Sequence, residues 1–387
     1  MDRPSDIDDA LRRAEAMLNN SDSVEALSLV NEVLAGARER IGTSEPESSA
    51  GASYADPSLT IAGPIDNAGT ASDRDAILGR AWRIRGSALD ALGETNEALD
   101  AYHHAVRLAP DDAENWNRRG SIRLALGEPT EALVDFEEAV RRQPNHRRAL
   151  LNRGIAFSRL GHDREALRDF AQAIEIDPTA TDSYFHRAYH YSEVYDHERA
   201  LADLNIVLQR TPNDVEAINN RGLAFFDLQR YEEAIADFDR ALALDARCVN
   251  AWNNRGLARQ RIGDATDART DFDEAIRLDP YNTSALVNRI HLNRTNAHTD
   301  AVLADLERTI DLEPDNPTYR IDRAEIFLQS GRADEALDDL EGLVYLELAR
   351  VHGLRSLAYR LKGDTLRARI EKRRAIYLDP LGRDELP

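Results

Sequence analysis

The feature that most limits what this chain can fold into is a spacing. Gly86, Gly120, Gly154, Gly222 and Gly256 recur every 34 residues, or after 68 where Ala188 fills the intermediate place. Four more rows keep the same register. One is alanine: Ala98, Ala132, Ala166, Ala200, Ala234 and Ala268. One is large and apolar: Tyr102, Phe136, Phe170, Leu204, Phe238, Phe272 and Leu306. One is proline: Pro110, Pro144, Pro178, Pro212, Pro280 and Pro314. The last holds all three tryptophans, Trp82, Trp116 and Trp252, each four residues before a glycine. A fixed period of this length marks a stacked array of helical units.

Each unit reads as two helices. The first runs from the tryptophan row to a turn such as Leu92-Gly93-Glu94, and the second continues to the proline. Proline ends it because the residue before proline disfavours the α conformation. The small rows are expected where two antiparallel helices cross closely, since a larger residue there would overpack the crossing. The tryptophan and phenylalanine rows fill the space between hairpins. One hairpin cannot cover its own apolar face, so stability must come from stacked neighbours.

This pattern resembles the tetratricopeptide repeat (TPR) family. In one unit the matching residues are Trp116, Gly120, Gly127, Ala132, Phe136, Ala139 and Pro144. Nine units begin at Gly79, Ala113, Arg147, Thr181, Val215, Val249, Thr283, Pro317 and Ala349. The resemblance implies an all-α, right-handed superhelical solenoid of antiparallel helix pairs over residues 79–382. It also implies a non-catalytic binding scaffold. Residues 1–41 read as a degenerate helical hairpin, joined at Asn19-Asn20-Ser21-Asp22 and free either to dock on the array or to act separately. Residues 42–78 lack helical periodicity and read as a flexible linker, and 383–387 as a tail.

Composition narrows the partners. The 387 residues carry a net charge of −21, which argues against nucleic acid or an anionic membrane as the main partner. The charge is uneven: −9 over residues 1–78 and +5 over 349–387. A 42% hydrophobic content suffices for a real core. A single cysteine, Cys248, excludes a disulfide framework and a cysteine zinc site. The polar, acidic start and the lack of a long apolar run lead us to expect a cytoplasmic protein with no membrane span and no cofactor.

Three units break the pattern. In the seventh, Ile290 and Val302 replace the small crossing residues, and two β-branched side chains should push that hairpin apart. The eighth is two residues short, and Leu343-Val344-Tyr345-Leu346 suggests a buried second helix. The ninth has Lys372 in the aromatic row beside Arg367, Arg369, Arg373 and Arg374, which suits a solvating cap or a basic docking patch.

Two polar rows could serve the inner surface. Arginine precedes the crossing position in all nine units, including Arg119, Arg153, Arg187, Arg221 and Arg255. An acid precedes the apolar row in eight, including Asp135, Asp169, Asp203, Asp237 and Asp271. The planar guanidinium can engage a carboxylate bidentately, so a structural ion-pair row is expected. Asparagines form the second row: Asn152, Asn220, Asn254 and Asn288, with Asn117, Asn219 and Asn253 beside them. Asparagine is a poor helix-interior residue, yet a primary amide can pair with a peptide's C=O and N–H at once. The row is similar to the asparagine ladder in the TPR superhelix of O-GlcNAc transferase, and these residues are the expected peptide contacts. A carboxylate clamp, another mode of the family, would use Arg83, Ser87, Arg118, Arg148 and Asn152.

No phosphate loop or nucleophile elbow is present. His186 and His190, spaced i, i+4, are the one metal-like pair. The reading that results is a scaffold holding an extended segment of another protein in its concave groove, with a basic segment suited to the acidic chain. A self-associating, homo-oligomeric assembly scaffold and a metal-dependent protein centred on His186 and His190 are the alternatives.

Overall fold

In a computed structural model, residues 4–39, 71–295 and 299–380 are described. They form twenty α-helices and no strand. Contacts divide the chain into two compact halves, Met1–Val194 and Tyr195–Pro387.

In the first half, α1 (Pro4–Asn19) and α2 (Ser23–Glu39) precede three helix pairs. These are α3 (Ala71–Ala91) with α4 (Thr95–Leu108), α5 (Ala113–Ala125) with α6 (Pro129–Arg142), and α7 (Arg147–Arg159) with α8 (Asp163–Ile176), followed by α9 (Thr181–Glu193). The second half begins with α10 (His197–Arg210). It continues as pairs: α11 (Val215–Asp227) with α12 (Tyr231–Leu244), α13 (Val249–Arg261) with α14 (Ala265–Leu278), and α15 (Thr283–Thr295) with α16 (Thr299–Leu312). Then come α17 (Pro317–Gln329) with α18 (Ala333–Glu341) and α19 (Ala349–Leu361) with α20 (Thr365–Leu378). Within each half, every helix packs on the next, and first helices of neighbouring pairs touch, as α5 with α7 and α13 with α15.

The turn within a pair requires a left-handed residue. Gly127 supplies it at φ 80°, and Gln229 takes the same role at φ 61° without glycine's freedom. Helix starts are capped by acids: Asp112 accepts from the Glu114 amide and Asp214 from the Ala217 amide.

The small row has a more specific cause than backbone crossing. A methyl group added at Gly120 would lie 2.7 Å from Phe136 Cε1, and at Gly222 2.6 Å from Phe238 Cε1. The glycine makes room for the ring. Where the ring is leucine the small residue can grow, and this resolves the seventh repeat. Ile290 and Val302 are buried with Leu306 and Ile326, in space that a phenylalanine would have filled.

Two other expectations are corrected. The helix of the eighth repeat ends at Glu341, a 3-10 turn follows at Val344–Leu346, and Glu347 is left-handed at φ 50°. Leu343 is buried but Tyr345 is 77% exposed, so this stretch is no buried helix. Of the expected linker, residues 42–70 lie outside the described residues, and 71–78 are the first turns of α3. That extension gives the leading hairpin its seat. Leu11, Val30, Val33 and Leu34 pack on Leu78, Ala81 and Ile84. Arg80 donates to Glu15 at 2.9 Å and to Asp8 at 2.7 Å. The hairpin is therefore docked as an extra layer before the first repeat. The expected tail, 383–387, lies outside the described residues.

Candidate functional site

Arginine and aspartate meet across six hairpins, α5–α6, α7–α8, α11–α12, α13–α14, α15–α16 and α17–α18, whereas α3–α4 has Ala101 at the acid position and α19–α20 has Glu371. Arg119 Nε and Nη2 donate to the two oxygens of Asp135 at 3.0 and 2.6 Å. Arg153 meets Asp169 at 2.6 and 2.8 Å, and Arg221 meets Asp237 at 2.7 and 2.6 Å. Arg255 meets Asp271 at 3.0 and 2.6 Å. Asp135 and Asp271 are fully buried, and each takes a further bond from the arginine one turn on, Arg123 and Arg259. Removing either partner would leave a buried charge, which costs about 3–5 kcal/mol. Arg187 and Asp203 fall in different halves, and each has interactions of its own. The hydrogen bonding to Asp169 raises the Arg153 pKa, and that to Asp237 raises the Arg221 pKa. These guanidinium groups are committed to the hairpin and are not a free anion site.

The asparagines bond to one another between repeats. Asn152 Nδ2 donates to Asn117 Oδ1 at 3.0 Å and to Ser121 Oγ at 3.1 Å. Asn254 donates to Asn219 at 3.1 Å, and Asn288 to Asn253 at 2.8 Å. The donor sits one residue further along its helix than the acceptor, so each bond joins consecutive first helices. Asn117 and Asn219 are buried, at 2% and 6% exposure. They support the row from beneath, each accepting from the half-buried asparagine of the next repeat. Asn152, Asn220, Asn254 and Asn288 remain half-buried. An amide has two donor hydrogens and two lone pairs, so one inter-repeat bond leaves capacity for a ligand. Ile155, Leu223 and Leu257, one turn after Asn152, Asn220 and Asn254, are only partly buried and add an apolar strip. The sequence reading missed these residues and Ser121, although the three-residue offset was visible.

The other candidate groups separate. Ser87 Oγ lies 3.0 Å from Tyr102 Oη, and Arg118 Nε donates to Glu114 at 2.6 Å, so two members of the expected clamp are engaged elsewhere. Buried His190 meets Ser158 through Nδ1 at 2.8 Å. Burial lowers the His186 pKa. Among the described residues no three His, Cys, Asp or Glu side chains are grouped to hold a metal ion.

Paired helices at a fixed period, joined by interlocking polar rows, define a helical-repeat protein. Family models described as tetratricopeptide repeat match residues 79–122, 111–179, 187–246, 220–283 and 294–349, and the chain belongs to that family. A solved tetratricopeptide repeat protein from Parabacteroides merdae is 23% identical with a TM-score of 0.49, covering 64% of this chain and 98% of its own. PilW, a type IV pilus biogenesis factor, is 16% identical with a TM-score of 0.50, covering 53% of this chain and 94% of its own. YrrB, described as a TPR protein with an unusual peptide-binding site, is 20% identical with a TM-score of 0.40, covering 49% of this chain and 97% of its own. Of these, the PilW likeness, at a TM-score of 0.50, shows the fold alone. No curated protein matches the chain in sequence. Among the described residues no helix is long and apolar enough to cross a membrane.

Proposed function

We propose that the chain is a non-catalytic scaffold that holds an extended segment of another protein along its first helices. The observation carrying this reading is the half-buried amide row. Asn254 and Asn288 are fixed by bonds to Asn219 and Asn253, so their remaining donor and acceptor atoms are presented in a set geometry. Ligand binding then costs little side-chain ordering. Amides that pair with backbone C=O and N–H tolerate many sequences, while the partly buried Leu223 and Leu257 select apolar side chains. The net charge of −21 favours a basic partner. The single cysteine suits a reducing compartment, and the cytoplasm is the one we assign.

The test is a pull-down with the full chain, followed by affinity measurement on the recovered segment. Each lost hydrogen bond is worth about 0.5–1.5 kcal/mol. Replacing Asn220, Asn254 and Asn288 together by alanine should therefore weaken binding by roughly tenfold or more. An unchanged dissociation constant would sink the reading.

A further inference from the structure

The junctions of the second half share one electrostatic rule, and its last repeat inverts it. At four of its five junctions the arginine before the crossing position reaches back by a hydrogen bond to the preceding repeat's second helix. Arg221 Nη1 meets Asn205 at 2.8 Å, Arg255 Nη1 meets Asp239 at 2.5 Å, and Arg289 Nη1 meets Asp273 at 2.5 Å. Arg355 Nη1 meets Glu341 at 2.6 Å. The acceptor always lies one residue after the apolar row. On α20 that register position is Arg373, and the apolar position itself is Lys372. Both are exposed, as is Arg369, and none of the three forms an ion pair among the described residues.

An apolar anchor lies beside them. Its counterparts Leu242, Ile276 and Ile310 are 7%, 5% and 9% exposed, and Ile276 is covered by Ala285 and Leu286 of the following first helix. Ile376 is 49% exposed. The outer face of α20 thus keeps the shape of a helix-accepting surface with the charge reversed. It repels any helix bearing arginine where the repeats bear it. That includes the leading hairpin of a second copy, which carries Arg13 before its small residue Ala14.

We infer that this face docks a helix of another protein, one with a small residue and an apolar residue followed three positions later by a carboxylate. The spacing is that of Ala285, Leu286 and Arg289 in this chain, with acid replacing arginine. The small and apolar residues would cover Ile376, and the carboxylate would meet Arg373. This surface lies apart from the asparagine row, so it is independent of the function proposed above.

The probe is a hydrocarbon-stapled peptide of the Val249–Arg261 sequence, with and without Arg255→Glu, titrated into the full-length chain by fluorescence anisotropy. The Arg255→Glu peptide should bind about three- to tenfold tighter than the unmodified one, as for a partly desolvated ion pair. In the chain carrying Arg373→Asp, an exposed position whose change leaves helicity intact by circular dichroism, the order should reverse. Ile376→Asp should abolish both, and the triple asparagine variant should leave both unchanged. No binding by either peptide, or a preference indifferent to residue 373, overturns the proposal. So does light scattering that shows wild-type chains associating through this face and Arg373→Asp dispersing them.

Discussion

At the scale of the residue, steric fit and burial explain more than conformational preference does. Gly222 pays helix propensity to seat the Phe238 ring, whose Cε1 would stand 2.6 Å from an added methyl. Gly222→Ala should lower stability by roughly 1–3 kcal/mol in denaturant titrations. In a Phe238→Leu background the same alanine should become neutral or stabilising, by up to about 1 kcal/mol, because the obstacle is gone and the helix gains. Equal effects in both backgrounds would show that the ring is not the constraint. Glu114 offers a charge test. Burial pushes its carboxyl up, but His146 at 3.0 Å and Arg118 at 2.6 Å outweigh burial and hold it at about 2. A depressed acid stabilises the fold above its unfolded pKa and loses that contribution as pH falls through the folded value. Glu114→Gln should cost about 1–2 kcal/mol at neutral pH, a figure reduced for partial hydration. The gap from wild type should close between pH 4.5 and about 2, read from urea midpoints at each pH.

At the scale of the element, each helix pair depends on the layers beside it. The leading hairpin packs chiefly on α3, with Leu108 of α4 beside the same cluster. Leu11 is fully buried there, so Leu11→Ala should cost about 2–5 kcal/mol locally. Hydrogen exchange should then accelerate over residues 4–39 and the start of α3, while α11 to α14 keep their protection. Faster exchange throughout the chain would mean that the layers do not open separately. How much was legible in the sequence also differs from element to element. The five rows predicted helix pairs, because each row reports one register position in a periodic structure. The hydrogen bond from Asn254 to Asn219 was not foreseen, although two asparagines offset by 35 residues carried the signal. Reading it requires knowing that consecutive first helices lie side by side, a contact between repeats and not within one. The apolar run at 343–346 misled for a related reason: hydrophobicity alone does not say whether a neighbour exists to cover it, and nothing covers Tyr345.

At the scale of the whole molecule, the net charge of −21 is an uneven sum. Residues 1–78 hold −9 of it and residues 349–387 reverse it to +5, so the acidic excess that favours a basic segment lies mainly in the repeats between them. The seating of rings against glycines has a consequence for how such a chain can change over generations. A glycine–phenylalanine pair becomes an alanine–leucine pair in two steps, and the order is not free. Shrinking the ring first leaves a void that neighbours can partly fill; adding the methyl first forces it into the ring. The passable route runs through the leucine. Each pair can take that route without waiting for the others, which accounts for a chain that holds Gly222 with Phe238, Ala324 with Leu340 and Ile290 with Leu306 at once.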